Sequence, residues 1–326
     1  MNQRALPPDE RLTICFAHVA YCLQERFVLR GTGIRSFEVR TLDELKARVG
    51  EADVLVVSGL WRNELATLAR KLAFIQSVGA GTDQFSSELL QHAGIRLASA
   101  QGVNERAVAE HAMALILAIA RKLPQARDNQ LAHHWRGMLP TIAQREDELG
   151  GKTLVIVGMG RIGSRLARLA KAFDMRVIGL KRDPSHGADA ADAVAPQSAL
   201  LEVLPQADFV ALTCPLNPST QDLIDAKAFA AMKPTAALVN VARGRVVSEP
   251  ALVEAMRRGT IAAAALDCVP DEPLPEGSPL WDLPNTFITP HTAGETQKYE
   301  DNVIDLLLEN LARLRRGDAQ LRNSVV

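Results

Sequence analysis

The sequence predicts an α/β protein with two Rossmann-like domains, each built on a parallel sheet covered by helices, and a cleft between them. Short apolar runs of strand length alternate with helix-like segments before residue 102, and a second alternation begins at Lys152. Such alternation is typical of parallel sheets wrapped by helices. The length of 326 residues is also sufficient for about two domains.

The predicted strands form two sets. The first set ends near Gly102 and contains apolar segments at 12–20, 52–59, 73–83 and 95–100. The second set consists of continuous apolar runs, as expected for strands that are buried on both faces. These runs lie at 153–159, 176–180, 209–214, 236–242, 261–268 and 286–290, and a helical segment at 295–317 closes the chain.

A long apolar helix is predicted at 104–123, between the two sets. Asn104 is a favourable N-cap residue, and Pro124 follows the last helical residue. The central run 112–120 is too short to span a bilayer and indicates a buried core helix. The polar segment 124–150 is predicted to be irregular, and segments of this kind are usually functional or lie between subunits.

The composition is that of an ordinary globular protein, with 47% hydrophobic residues, 23% charged residues and a formal net charge of −1. Because the basic residues are scattered, neither nucleic acid nor an anionic membrane is expected as a partner. The four cysteines show no CxxC spacing, and the N-terminal segment has no signal-peptide pattern. These features favour a reduced, cytoplasmic protein, and we predict no metal site.

A glycine-rich turn follows the first strand of the second set. Gly158, Gly160 and Gly163 form G-x-G-x-x-G between the apolar run and a helix-like segment. The first glycine permits a tight turn, the second lets the backbone approach a pyrophosphate, and the third allows close packing of helix and strand. This context predicts a dinucleotide site, whereas the motif alone would also suit a nucleotide-free turn.

The next strand ends on a basic pair, Lys181 and Arg182, where NAD-binding folds usually have an acid for the ribose 2′-OH. A basic pair would accept a 2′-phosphate, which favours NADP(H) over NAD(H). The alternative is that Lys181 points to solvent and Arg182 stacks on adenine, in which case either nucleotide could be used.

Seven segments together resemble the D-isomer-specific 2-hydroxyacid dehydrogenase family, which includes glyoxylate/hydroxypyruvate reductases and phosphoglycerate dehydrogenases. The resemblance covers nearly the whole chain and is specific as a set. The segments are VGAGTD (78–83), GVNERAVAEH (102–111), GKTLVIVGMGRIG (151–163), CPLNPST (214–220), NVARG (240–244), LDCVPDEPLP (266–275) and TPHTAG (289–294).

The resemblance implies a discontinuous, flavodoxin-like substrate domain at 1–102 and 289–326. It implies a dinucleotide-binding domain at 103–288, with a dimerisation arm at about 124–150, and therefore a homodimer. Trp135 in this arm would either pack in the interface or reach the active site of the partner subunit.

The resemblance also implies a catalytic set, and the chemistry agrees with it. Arg243 follows a buried strand, where its planar fork can hold a substrate carboxylate and carbonyl. His291 would act as general acid/base, because histidine titrates near neutral pH. Glu272 would orient His291 and favour its protonated form. Asp271 is the alternative partner if the alignment is shifted by one residue.

The remaining expected contacts surround the nucleotide and the substrate. The loop Val78, Gly79, Ala80 and Gly81 should offer backbone N–H groups to the substrate carboxylate, and Leu60 should face the substrate. NAD(P)(H) should contact the glycine turn, the basic pair and the segments at the ends of four further strands. These residues are Gly158, Met159, Gly160, Arg161, Ile162, Gly163, Lys181, Arg182, Cys214, Pro215, Thr220, Val241, Ala242, Asp267 and Gly294.

We therefore predict an NAD(P)-dependent enzyme that interconverts a small-molecule 2-keto acid and a D-2-hydroxy acid. The segment 58–63 carries Leu60 and Trp61 with a single basic residue, Arg62, which favours an unphosphorylated substrate. One alternative is a corepressor-like or sensor protein that binds NAD(H) without turnover. Another is a relative that oxidises formate or phosphite. Glu272 disfavours formate, because formate dehydrogenases have glutamine in this role.

Overall fold

The computed structural model describes residues 4–185 and 190–326, and the chain forms two compact units. Unit 1 consists of Met1–Asn104 and Thr296–Val326, and unit 2 consists of Glu105–Glu295. The sequence-based boundaries lie at 102/103 and 288/289. Residues 289–295, which carry His291, therefore stand in unit 2 and not with the C-terminal helix. The functional roles expected for the two units stay predictions.

The twelve strands of the described residues are short. In chain order they are β1 (Thr13–Ala17), β2 (Arg35–Val39), β3 (Val54–Val57), β4 (Phe74–Ser77), β5 (Arg96–Ala98), β6 (Thr153–Val157), β7 (Arg176–Lys181), β8 (Ala193–Pro196), β9 (Phe209–Leu212), β10 (Ala237–Asn240), β11 (Ala263–Leu266) and β12 (Thr286–Ile288).

The α-helices of the described residues range from single turns to the long C-terminal helix. In chain order they are α1 (Leu23–Val28), α2 (Leu42–Arg48), α3 (Leu65–Leu68), α4 (Ser87–Ala93), α5 (Glu105–Ala120), α6 (Leu123–Leu131), α7 (Arg161–Ala172), α8 (Leu200–Val203), α9 (Ala226–Ala231), α10 (Glu249–Arg258) and α11 (Tyr299–Arg316).

Unit 1 is a parallel five-stranded sheet with the order β2-β1-β3-β4-β5. This is the flavodoxin-like order. Apolar residues of α2, α3 and α4 pack on one face, and those of α1 and α11 pack on the other. The predicted flavodoxin-like sheet with helices on both faces is confirmed.

Unit 2 is a parallel seven-stranded sheet with the order β12-β11-β10-β9-β6-β7-β8. Helices α5 and α7 pack on one face, and α8, α9 and α10 pack on the other. The direction of strand succession reverses between β6 and β9. Open α/β sheets bind ligands at the carboxyl ends of the strands at such a reversal.

Two strands, β2 and β8, are missing from the sequence-based set. Both lie at the edge of their sheet. β2 has the sequence RSFEV with mostly half-buried residues, and β8 has the sequence AVAP with no fully buried residue. A search for continuous apolar runs misses such strands, because an edge strand is only partly covered.

The predicted apolar helix is shorter than expected and a second helix follows it. Helix α5 ends at Ala120, with Ala112, Leu115 and Ile116 buried, which confirms a core helix. Pro124 lies in the first turn of α6, where proline is well tolerated, so it begins a new helix instead of following the first one. The prediction that 124–150 is wholly irregular is therefore wrong for its first residues. No helix in the described part of the chain is long and apolar enough to cross a membrane.

Candidate active site

The glycine-rich turn begins where β6 ends. Gly158 has a φ of +109°, a conformation that residues with a side chain rarely adopt. A Cβ atom at Gly158 would also lie 2.6 Å from the backbone nitrogen of Cys214, which follows β9. The N–H groups of Gly158 and Met159 donate to the Leu180 carbonyl in β7, at 2.9 and 3.1 Å. The turn is thus held by both neighbours of β6, and only glycine fits its first position.

The other two glycines of the turn have opposite surroundings. A Cβ atom at Gly163 would lie 2.3 Å from the carbonyl oxygen of Gly158, whereas one at Gly160 would meet nothing within 4 Å. Gly160 is the N-cap of α7, with an ordinary φ of −89°. A helix N-terminus attracts anions through its free N–H groups and its dipole. The open space at Gly160 therefore fits a dinucleotide pyrophosphate, and Gly163 allows close helix packing.

The predicted basic pair stands at the carboxyl end of β7, the strand beside the glycine turn. Lys181 is the last residue of β7 and is half-buried, and Arg182 follows and is exposed. Asp183 accepts hydrogen bonds from the backbone nitrogen and hydroxyl of Ser185, at 2.9 and 2.6 Å. This is the position at which dinucleotide-binding folds contact the adenosine ribose.

The loop after β9 carries three predicted cofactor residues, and they differ in exposure. Burial raises the pKa of the Cys214 thiol to about 11, so this thiol is protonated at neutral pH and is a packing residue. Pro215 is exposed. Thr220 is only 2% exposed, and its hydroxyl donates to the Pro215 carbonyl at 2.7 Å and accepts from the Asn217 nitrogen at 2.8 Å. These bonds argue against a direct cofactor contact by Thr220 and favour a role in shaping the loop.

A tight turn after β10 carries Arg243. Asn240 is buried, its amide donates to the Arg243 carbonyl at 3.0 Å, and its Oδ1 accepts from the Ala242 nitrogen at 3.0 Å. The half-buried Arg243 side chain donates to the Ala242 carbonyl at 2.7 Å. A Cβ atom at Gly244 would lie 1.9 Å from the carbonyl carbon of Val269. The glycine therefore lets the arginine turn lie directly against the loop that follows β11.

Asp267, directly after β11, holds the segment that carries His291. Its carboxylate is 2% exposed and accepts from the Thr289 hydroxyl at 2.6 Å, the Thr292 nitrogen at 3.0 Å and the Ala293 nitrogen at 3.1 Å. A buried carboxylate is costly unless such bonds satisfy it. The family resemblance places Asp267 among the nucleotide contacts, and its observed partners make it an anchor of the 289–293 turn.

His111 of α5 extends this network. Its Nε2 lies 3.0 Å from the Thr289 hydroxyl and 3.5 Å from Asp267. The single hydroxyl proton of Thr289 is used in the bond to Asp267, so the His111 Nε2 must carry a proton and donate to Thr289. The network ties α5 to the segment that follows β12.

His291 and Glu272 form a hydrogen-bonded pair at the same edge of the sheet. The imidazole Nδ1 lies 2.7 Å from Glu272 Oε2, and the second carboxylate oxygen accepts from the Val269 nitrogen at 3.1 Å. The His291 side chain is 42% exposed and that of Glu272 is 37% exposed. Glu272, not its neighbour Asp271, makes this contact. Because a carboxylate accepts at Nδ1, that nitrogen carries a proton and Nε2 is left for proton transfer.

Unit 1 places the 78–81 loop at the carboxyl end of β4. The Tyr299 hydroxyl donates to the Val78 carbonyl at 2.5 Å, and the Gly79 carbonyl accepts from the Ser77 hydroxyl at 2.9 Å and the Ala100 nitrogen at 3.0 Å. Since C=O and N–H point in opposite directions in a trans peptide, the N–H groups of Gly79 and Ala80 face away from these donors. Gly81 is half-buried and Ala80 is exposed.

The segment 58–63 follows β3 and carries Leu60, the residue predicted to face the substrate. Leu60 is half-buried, but Trp61 is 1% exposed and stacks on Phe85 in the core of unit 1. Trp61 is therefore a core residue of unit 1. Arg62 donates to the carbonyls of Gly59 and Trp61, at 2.9 and 2.7 Å.

Sequence reasoning missed the residues that position the functional loops. Asn240, His111 and Thr289 stand inside segments that the family resemblance covers, but no role was given to them. For Tyr299 the sequence indicates only a position in a helix. The signal for Tyr299 was weak, because a single tyrosine in an amphipathic helix is usually a packing residue.

Known proteins share this fold and these segments. The model of the "D-isomer specific 2-hydroxyacid dehydrogenase, NAD binding domain" matches residues 113–293. The glyoxylate reductase of Pyrococcus furiosus is 35% identical over 283 residues, which cover 85% of this chain and 83% of that protein. A D-3-phosphoglycerate dehydrogenase of Methanocaldococcus jannaschii is 36% identical over 283 residues, which cover 85% of this chain but only 52% of that protein. The solved TT0316 protein from Thermus thermophilus has a TM-score of 0.83 and 33% identity, with 97% of this chain and 100% of that chain covered.

The chain therefore belongs to the D-isomer specific 2-hydroxyacid dehydrogenase family, a family of NAD(P)-dependent oxidoreductases. The matched segment in unit 2 is its NAD-binding domain. The predictions of the family, of two parallel-sheet α/β units and of a nicotinamide dinucleotide as cofactor are confirmed.

The opposite surroundings of Gly160 and Gly163 make a matched test of the nucleotide site. We expect Gly160→Ala to weaken NAD(P)H binding by at least about tenfold with little change in Tm, because its Cβ enters open space beside the helix N-terminus. Gly163→Ala should lower stability by about 1–3 kcal/mol, because its Cβ meets backbone. Nucleotide fluorescence titration and thermal denaturation measure the two effects. Wild-type affinity in Gly160→Ala would contradict this assignment.

Proposed function

We propose that the protein catalyses the NAD(P)H-dependent reduction of a 2-keto acid to a D-2-hydroxy acid, and the reverse oxidation. The observation that carries this proposal is the pair His291 Nδ1–Glu272 Oε2, at 2.7 Å. The pair is partly exposed, and it lies at the carboxyl edge of the sheet that carries the dinucleotide turn. A histidine oriented by a carboxylate is suited to give and take a proton near neutral pH.

His291 is the general acid of the reductive direction. A bound NAD(P)H supplies the hydride that C2 of the keto acid receives. The proton on Nε2 of His291 moves to the carbonyl oxygen, so that charge does not accumulate there. Glu272 holds the ring through Nδ1, and the Val269 nitrogen holds Glu272 in turn. In the oxidative direction His291 takes the proton back.

Substrate is held through its carboxylate. Arg243 presents a planar, permanently charged fork, which is the group best suited to bind a carboxylate with two hydrogen bonds. The N–H groups of the 78–81 loop are a second carboxylate-binding group, because the bonds from Tyr299, Ser77 and Ala100 turn them outward. Leu60 is proposed to contact the substrate side chain.

The substrate class that we favour is an unphosphorylated 2-keto acid such as glyoxylate, hydroxypyruvate or a bulkier homologue. The one arginine of the 58–63 segment, Arg62, is engaged with its own loop carbonyls, which supports this choice. The glyoxylate reductase relative, which is 35% identical over 85% of this chain, also supports this choice. A role in NAD(H) binding without turnover is not favoured, since the matched relatives are named as enzymes.

The proposal is tested by absorbance at about 340 nm, the nicotinamide band that reports hydride transfer. Wild-type protein should oxidise NAD(P)H with glyoxylate, hydroxypyruvate or a bulkier 2-keto acid. In His291→Ala, kcat should fall by about 10²- to 10⁴-fold, the usual contribution of a general acid, with nearly unchanged nucleotide Kd. Asp271→Asn is the matched control and should retain wild-type kcat. Undiminished kcat in His291→Ala would remove His291 from the mechanism, and best turnover of 3-phosphohydroxypyruvate would overturn the substrate class.

NADP(H) is proposed as the preferred nucleotide. Lys181 and Arg182 stand where the 2′-substituent of the adenosine ribose is bound in this fold. Replacing both by alanine should raise KM for NADPH by about tenfold or more, the usual effect of losing charge-assisted hydrogen bonds, and change KM for NADH little. Steady-state kinetics with both nucleotides measure this ratio. A wild-type kcat/KM that is higher with NADH than with NADPH would refute the preference.

A homodimer is proposed on the basis of the segment 123–142. This segment exposes Leu123, Leu131, Trp135, Met138 and Ile142, with Trp135 97% and Met138 99% exposed. A concentration of exposed apolar side chains marks an interaction surface. Trp135 then lies in the interface, where it packs on the partner or approaches the partner's active site.

The oligomeric state follows from light scattering after size exclusion. We expect a dimer for the wild type and a shift toward monomer for the double variant Met138→Ser, Ile142→Ser, because exposed apolar area at the interface is lost. Leu68→Ser is the matched control, since Leu68 is 48% exposed but belongs to unit 1. A wild-type protein that elutes as a monomer at all concentrations would rule out this dimer.

A further inference from the structure

One side chain beside the proposed proton donor has no role in the mechanism. Cys268 follows Asp267 and is 2% exposed, and its sulfur lies 3.5 Å from the Ala242 carbonyl oxygen. The sulfur, a carboxylate oxygen of Glu272 and a ring nitrogen of His291 all lie within 4.8 Å of one another. Three side-chain atoms that can bind a metal ion, one sulfur, one nitrogen and one oxygen, therefore lie close together.

This ligand set has the composition of a zinc site, and small movements would give it the spacing of one. Zinc binds cysteine, histidine and carboxylate ligands tetrahedrally, with ligand atoms roughly 3.3 to 3.6 Å apart. The His291–Glu272 pair, now at 2.7 Å, would open by less than about 1 Å, and the sulfur would move inward by a similar amount. Two carboxylates, Asp267 and Glu272, and one guanidinium, Arg243, act electrostatically on the Cys268 sulfur.

We propose that Cys268, Glu272 and His291 bind Zn²⁺, and that the bound ion inhibits the enzyme. The ion replaces the Nδ1 proton of protonated His291, so that the histidine binds as a neutral imidazole with its remaining proton on Nε2. The Cys268 thiol also loses its proton, and both protons pass to solvent. The histidine in this state is fixed on the metal and separated from its carboxylate. The inhibition rests on the proposed function of His291, whereas metal binding does not.

Metal binding is tested without turnover. Cofactor-free protein is titrated with Co²⁺, which replaces zinc and gives a near-ultraviolet charge-transfer band when a thiolate binds it. The band is expected in the wild type and in Cys22→Ser, whose thiol is exposed, and not in Cys268→Val or Cys268→Ser. No band in the wild type, or a band that persists in both Cys268 variants, overturns the site. Loss of the band in Cys22→Ser would assign it to the exposed thiol.

Inhibition is tested by 2-keto acid reduction in the presence of Zn²⁺. Wild-type activity should fall with Zn²⁺ and return with EDTA. Cys268→Val should need at least about tenfold more Zn²⁺ for the same inhibition, because a direct ligand contributes at least as much as an outer-shell partner. Cys15→Val, at a buried cysteine of unit 1, should keep wild-type sensitivity. Equal sensitivity of wild type and Cys268→Val overturns the inhibitory site.

The two proposals can fail separately. A protein that gives the cobalt–thiolate band but reduces no 2-keto acid with either nucleotide retains the metal site and refutes the proposed function. A protein that reduces a 2-keto acid but gives no band retains the function and refutes the metal site.

Discussion

The geometry at the sheet edge depends on the buried carboxylate of Asp267. An ionised group without water is stable only when hydrogen bonds replace its hydration. Here the donors all come from the 289–293 turn. Movement of the turn would leave the buried carboxylate without hydrogen-bond donors, so the turn is fixed in place. The fixed turn can hold His291 at a φ of +54°, a conformation that costs a non-glycine residue about 1–3 kcal/mol. The bonds of Asp267 thus position a residue that they do not touch.

Close backbone contacts bring the loops of this edge together. Gly158 lies against Cys214, Gly163 lies against Gly158, and Gly244 lies against Val269. At each contact a single methyl group would overlap backbone atoms, which cannot move aside as a side chain can. The ends of β6, β9, β10 and β11 therefore approach more closely than loops with side chains would permit. The nucleotide turn, the arginine and the histidine–carboxylate pair share this compact edge.

The sequence predicted the central strands well and the margins of the fold poorly. Strands such as β6 and β10 are buried on both faces, and their continuous apolar runs are visible without a structure. The edge strands β2 and β8 lack such runs, because solvent reaches part of their surface. Helix α6 has no buried residue, so no apolar periodicity marks it in the sequence. Pro124 is equally compatible with the end of one helix and with the first turn of the next.

The sequence by itself determined the fold class and the strand–turn–helix site at Gly158, and its resemblance to a known family singled out Arg243, Glu272 and His291 as the candidates for catalysis. These conclusions follow from local patterns, in which spacing and residue type carry the information. Only the tertiary structure decided that Glu272 and not Asp271 meets His291, that Asp267 anchors the turn and that Trp61 lies in the core. Those facts depend on contacts between residues far apart in the chain, and such contacts are set by strand register and loop path, which no local pattern encodes.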